Sequence, residues 1–151
     1  IRVEQVFERR GGDLARFLRM ADDLSFREPQ ISLPDVSTPE AIHYDLKMQE
    51  MAVAADASRK LGPNSIMRVT SAQALNMKRV LWLRDSFGGA LDPFMAVTFR
   101  ETIQLHWSDA LSNGGRLLVD LVERWQPDYV FVTVVEREAM SASFSTLPPE
   151  S

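Results

Sequence analysis

The clearest pattern lies in the second half of the chain. Val80-Leu81-Trp82-Leu83 and Val130-Phe131-Val132-Thr133-Val134-Val135 are nearly continuous apolar runs, as expected of strands covered on both faces of a parallel sheet. Between them Thr102-Ile103-Gln104-Leu105-His106-Trp107 alternates polar and apolar positions, which predicts a strand with one covered face at a sheet edge. Residues 90–100 predict a helix with Ala90, Leu91, Phe94, Val97 and Thr98 on one face and Pro93 tolerated in its first turn. Leu117, Leu118, Leu121, Val122 and Trp125 draw an amphipathic helix that begins after Ser112-Asn113-Gly114-Gly115 and stops at Pro127. The order strand, helix, strand, helix, strand has crossovers long enough for parallel pairing. Right-handed crossovers then place 102–107 at the edge, 80–83 beside it and 130–135 as the central strand.

The first half is less regular. Residues 1–22 read as helical, broken at Gly11-Gly12 and restarting at Asp13 as an N-cap, with Leu14, Phe17, Leu18 and Ala21 on one face. Pro29, Pro34 and Pro39 make an extended connector from Glu28 onward. Residues 40–76 fit a long hairpin or an irregular insertion turning at Leu61-Gly62-Pro63-Asn64. The domain reading is therefore a single domain over 1–140 with an insertion at about 28–75 and a polar tail over 141–151. Because 130–135 is almost wholly apolar, a bare edge there would invite aggregation. Strand material from 40–70, an upstream segment or a second copy of the chain is expected to cover it, with helix 13–22 nearby.

Composition removes whole classes of function. Of 151 residues, 17 are Lys or Arg and 21 are Asp or Glu, a net charge of −4, so no basic field favours nucleic acid. The chain has no cysteine, which excludes disulfides, zinc-thiolate sites and thiol nucleophiles. No apolar run approaches the ~20 residues of a membrane-spanning helix. No metal or cofactor is expected.

Candidate chemistry gathers after strand 80–83. Ligands of open parallel sheets bind beyond the carboxyl ends of the strands, where the strand order reverses. Asp85 and Ser86 stand there, followed by Gly88-Gly89, which permit a tight turn and close approach of a ligand. The next helix would aim its free amide groups at this turn. Both Asp85 and Ser86 are also ordinary N-caps, so the pair alone is a weak signal.

The run Val80-Leu81-Trp82-Leu83-Arg84-Asp85-Ser86-Phe87-Gly88, then Leu91-Asp92-Pro93-Phe94, Gln126-Pro127-Asp128-Tyr129-Val130 and Val135-Glu136-Arg137 resembles the SGNH-hydrolase-like domain of the alginate O-acetylation proteins (the AlgJ/AlgX type). Gly12-Asp13-Leu14-Ala15-Arg16-Phe17-Leu18 resembles it more weakly, and residues 28–75 do not. The resemblance implies a three-layer α/β/α, flavodoxin-like (SGNH-type) parallel sheet, incomplete at the N-terminus, in a periplasmic or otherwise extracytoplasmic protein. It implies an O-acetyltransferase or acetylesterase acting on an extracellular polysaccharide, with an acetyl donor presented by a membrane acyltransferase partner. Ser86 then becomes the nucleophile and its amide an oxyanion donor, with Asp85 in support. The rival reading is a non-catalytic carbohydrate-binding or assembly module on the same scaffold.

A serine nucleophile needs a base, usually a histidine oriented by an acid. The family's Asp-x-His pair lies upstream of the Gly-Asp-Leu segment, and this chain starts too late to contain it. Of the two histidines, His106 near the end of its strand is a weak candidate base, or else a polar residue on an exposed face beside Gln104. His43 reads as surface. Arg137 is placed to grip a uronic carboxylate or to pair with Glu136, Glu138 or Asp85. Trp107 would stack on a sugar or close the sheet edge, Gly88 would admit the substrate, and Asn113 would be a polar site residue or a turn former. Trp82 and Trp125 read as core.

Overall fold

The computed structural model describes residues 2–10, 25–32, 39–52 and 61–145. Contacts divide the chain into two compact units, Ile1–Asp35 and Val36–Ser151. In the first, β1 (Arg2–Arg10) and β2 (Ser25–Ser32) pair antiparallel. The helix expected over the start of the chain is thus a strand. Val3, Val6 and Phe7 have helix-like spacing, but the segment is held by ladder pairing to β2, where Pro29 is tolerated in a two-stranded ribbon. The expected helix 13–22 lies outside the described residues.

In the second unit the elements are β3 (Glu40–Asp45), β4 (Glu50–Met51), β5 (Ser65–Thr70), β6 (Asn76–Arg84), a 3₁₀ turn (Phe87–Leu91), α1 (Asp92–Thr98), β7 (Phe99–His106), α2 (Trp107–Trp125), β8 (Tyr129–Thr133) and α3 (Glu136–Ala139). They build one six-stranded sheet in the order β4-β3-β5-β7-β6-β8. β7, β6 and β8 are parallel and adjacent in the predicted order. β5, β3 and β4 continue the sheet beyond β7 in antiparallel pairing, so the sheet is mixed. β3 and β5 form the long hairpin alternative for 40–76, and their chain turns into β5 through Asn64 at φ 51°.

Helices cover both faces, giving the three layers. On one face Ile66, Leu81, Leu83, Ile103 and Leu105 pack beneath Ala110 and Leu121 of α2. On the other, Met67 and Val69 pack beneath Ala96 of α1. Two strand positions differ from expectation. β7 is internal, not an edge, and its polar residues Thr102 and Gln104 are buried. β8 is the outer strand, with no partner on its far side among the described residues. Val130 and Val132 are 44% and 47% exposed, so an apolar run did not here mean two-sided burial. β3, β4 and β5 lie across the sheet and do not cover that edge. Phe131 instead stacks on Tyr129 and meets Phe99 edge-on, at centroid distances of 5.9 and 5.6 Å.

The turn into β8 is held by charge. Asp128 accepts from Lys78 Nζ at 2.8 Å and from the Arg79 amide at 2.9 Å, while its own amide donates to the Arg79 carbonyl. The hydrogen bond from Lys78, then that from the Arg79 amide, holds the Asp128 carboxyl below the usual aspartate range. A depressed pKa stabilises the fold above the unfolded value of about 3.9, and that contribution is lost as pH falls through the lower folded value. In a carboxyl-detected NMR titration Asp128 is therefore expected to titrate below about 3.9. Lys78→Ala should raise its midpoint; a midpoint unmoved by that change would contradict the clamp.

Candidate functional site

β6 delivers Ser86 to the carboxyl end of the sheet, flanked by the ends of β7 and β8. Its side chain is exposed and makes no hydrogen bond among the described residues. It lines an open cleft of about 320 Å³ together with Asp85, His106, Ser108, Asp109 and Asn64.

Asp85 fixes the turn that presents it. One carboxylate oxygen accepts from the Phe87 and Gly88 amides at 2.9 and 3.1 Å, and the other from the Val135 amide at 2.7 Å. The Asp85 amide donates to the Thr133 carbonyl at 3.2 Å. Asp85 thus ties the serine turn to the end of β8, and its oxygens are spent on backbone. The free amide groups expected at a helix start are largely taken as well, since a 3₁₀ turn precedes α1 and the Gly89 amide donates to the Ser86 carbonyl. The Ser86 amide forms no hydrogen bond among the described residues, so it is the donor left for an oxyanion.

Beneath the turn lies a buried polar network. Arg84 donates from Nε to Gln104 Oε1 at 2.9 Å and from a terminal nitrogen to the Asp85 carbonyl at 3.1 Å. Gln104 Nε2 donates to Asp92 Oδ1, and the guanidinium lies over the Trp82 ring. Burial pulls the Arg84 pKa down, while Asp92 and Asp85 hold it up. This network also explains why α1 turns Asp92 and Ala96 inward and leaves Leu91 and Phe94 exposed. The polar contact to Gln104 sets the helix face against the apolar stripe. The sequence signal for it is a charged residue closing an apolar strand two positions before the serine.

Gly88 has a packing role in place of the expected ligand approach. A Cβ there would stand 2.7 Å from Arg84 Cβ and 3.2 Å from Thr133 Oγ1. Trp107 does not offer a sugar platform: only 7% exposed, it stacks on Phe144 at 5.0 Å and lies beside His106 at 5.7 Å. Arg137 stands exposed on α3, in an ion pair with Glu138. Asn113 sits away from Ser86, in a left-handed break of α2. Trp82 is core, its Nε1 donating to Thr133 Oγ1, and Trp125 is half-buried against the core. His43 is buried on β3, beyond β5 and β7 from Ser86.

His106 shares the cleft but makes no hydrogen bond to Ser86. Its Nδ1 lies 2.7 Å from Ser108 Oγ and accepts from the Ser108 amide at 3.3 Å, capping α2. With Nδ1 accepting, the neutral ring carries its proton on Nε2. It cannot take a proton from Ser86 there without changing tautomer and giving up the cap. His106→Ala is accordingly expected to cost about 0.5–2 kcal/mol, the worth of an N-cap, with His106→Asn restoring most of it in thermal unfolding. Equal stability of the wild-type and Ala forms would remove the cap assignment.

No protein-family model and no curated protein matches the chain. Solved structures are similar to it in fold. A DHHW family protein from Eubacterium siraeum superposes with a TM-score of 0.62 at 14% identity, covering 97% of this chain and 54% of that one. PatB1 from Bacillus cereus gives a TM-score of 0.57 at 14% identity, covering 83% of this chain and 44% of PatB1. PatB1 with a sulfonyl adduct gives 0.55 at 14%, with coverages of 82% and 45%. The chain spans about half the length of these proteins. The likeness is one of fold, an α/β scaffold, and the alginate O-acetylation type stays a resemblance of sequence.

Proposed function

We propose that Ser86 is the nucleophile of an SGNH-like O-acetyltransferase or acetylesterase that acts outside the cytoplasm on a polysaccharide. The observation that carries this reading is an exposed serine hydroxyl, without an internal partner, on a turn braced by Asp85 and with its own amide free beside an open cleft. The SGNH-like scaffold supports it, as does PatB1 carrying a sulfonyl adduct, a product that nucleophiles form with sulfonyl electrophiles.

Ser86 Oγ attacks the acetyl carbonyl as a base removes its proton, and the tetrahedral oxyanion is held at the Ser86 amide. The C–O bond to the donor then breaks, the donor oxygen takes the proton, and acetyl-Ser86 is left. A glycan hydroxyl, or water in an esterase, gives its proton to the base and attacks; Ser86 leaves and recovers a proton. His106 is occupied as a cap and His43 is remote, so neither histidine is placed to serve as that base.

The occupied His106 also favours a second reading, a carbohydrate-binding module without a working triad. Chemical rescue separates the two. With 4-nitrophenyl acetate, imidazole standing in for the base is expected to drive acetylation of Ser86, followed by transfer to a polysaccharide or to water. If Ser86 acetylates no faster than the exposed Ser108 and Ser112 at any imidazole concentration, the enzymatic reading fails and the binding module stands.

A further inference from the structure

Two residues before Ser86 the chain buries a positive charge. Arg84 closes β6 only 5% exposed, yet it borders the Ser86 cleft. Its side chain runs beneath the serine turn: a Cβ at Gly88 would stand 2.9 Å from Arg84 Cδ, and one at Gly89 3.6 Å from Arg84 Nη1. A buried guanidinium keeps its charge and must spend its donors inside the protein. Nε goes to Gln104, which is itself fully buried and bonded to Asp92, and the guanidinium lies over the Trp82 ring at 5.4 Å. With these partners holding it, Nη1 donates to the Asp85 carbonyl at 3.1 Å.

The Asp85 carbonyl and the Ser86 amide belong to one peptide group. A trans peptide is planar, and its C=O and N–H point in opposite directions. Gripping the oxygen from the buried side therefore fixes the direction of the Ser86 N–H, away from the guanidinium. The same contact acts on charge. A charge-assisted bond to the carbonyl draws electron density toward its oxygen and makes the N–H at the other end a stronger donor, by roughly 10–30% per bond in a hydrogen-bonded chain. The Phe87, Gly88 and Gly89 amides are spent within the turn, whereas the Ser86 amide has no acceptor among the described residues. The polarity that Arg84 supplies is thus available to an oxygen developing charge beside Ser86, from a donor held in place before the reaction begins.

We propose that Arg84 is a positioning residue for the oxyanion: through the Asp85–Ser86 peptide it aims the Ser86 amide and strengthens it as a donor. This rests on the reading of Ser86 as the nucleophile. In the wild-type chain, NMR is expected to show a scalar coupling across the hydrogen bond from an Arg84 terminal nitrogen to the Asp85 carbonyl carbon. Arg84→Lys keeps a cation but loses the planar fork that reaches Gln104 and the Asp85 carbonyl together, so it should abolish the coupling and move the Ser86 amide proton upfield. Kinetics then separate positioning from plain structure. Imidazole-assisted acetylation of Ser86 by 4-nitrophenyl acetate should fall about tenfold in maximal rate in Arg84→Lys, less than for a whole donor lost, with half-saturation unchanged. The corresponding thionoester puts sulfur, a weak acceptor, where the oxyanion would form, so its rate should fall by no more than about twofold. A purely structural Arg84 would slow both esters alike. Equal falls, or no fall, with a reactive wild-type Ser86 would overturn the role of Arg84 alone. Absence of the coupling in the wild-type chain would overturn it even where Arg84→Lys does not fold. A wild-type Ser86 that acetylates no faster than Ser108 and Ser112 would overturn the nucleophile, and the oxyanion role of Arg84 with it.

Discussion

Ser86→Ala is expected to lower imidazole-assisted acetyl transfer by on the order of 10²-fold or more, to the level of the uncatalysed ester. The expectation follows from what the turn spends and what it leaves. Asp85 takes the Phe87 and Gly88 amides, and Gly89 bonds back to the Ser86 carbonyl, while the Ser86 hydroxyl and amide have no partner among the described residues. Removing the hydroxyl removes the atom that carries the acetyl group, while the turn keeps every hydrogen bond it has. Stability should hardly change, since an exposed side chain without an internal partner contributes little. Loss of activity with an unchanged melting temperature is the expected pairing. Full activity in Ser86→Ala, by steady-state ester turnover, would move the nucleophile elsewhere.

Arg84→Ala should do the reverse, acting first on stability. Arg84 is buried with its guanidinium between Gln104, the Asp85 carbonyl and the Trp82 ring. Deleting it leaves Asp92 and Gln104 buried with one partner fewer, and removing one member of such a buried charged set costs about 3–5 kcal/mol. For a chain of this size that is on the order of 10 °C in melting temperature. Gly88→Ala should destabilise by about 1–3 kcal/mol, the usual cost of overpacking, because the new Cβ would enter Arg84 at 2.7 Å. The two positions touch, so their effects are not expected to add. Differential scanning calorimetry of both single variants and the double variant measures this coupling, and strict additivity would contradict the contact.

Much of the architecture was legible because it depends on local pattern. The runs 80–83 and 130–135, with the helical segments between strands, were enough to give three adjacent parallel strands in the right order. Pattern failed where burial depends on partners distant in sequence. Thr102 and Gln104 look like the wet face of an edge strand until Arg84 and Asp92 arrive to satisfy Gln104 in the interior. The same bond turned α1 away from its apolar stripe. Val130 and Val132 failed in the opposite sense, since nothing in an apolar run says whether a further strand pairs beside it. The position of Ser86 and Asp85 at the end of a strand was legible from the apolar run before them. His106 was not, because the Ser108 amide that occupies its Nδ1 becomes its partner only once β7 ends and α2 begins there. Trp107 was misjudged because Phe144 covers it from far along the chain.

Among the described serines, Ser86 is the one proposed to act as a nucleophile. Peptide-mapped mass spectrometry after treatment with a phenylmethane sulfonyl fluoride, with imidazole present, tests it most directly. A single sulfonyl group on Ser86, formed well ahead of any on Ser108 or Ser112 and absent from Ser86→Ala, is the predicted result. Adducts spread evenly over the exposed serines, or a Ser86 peptide that stays unmodified, would contradict it.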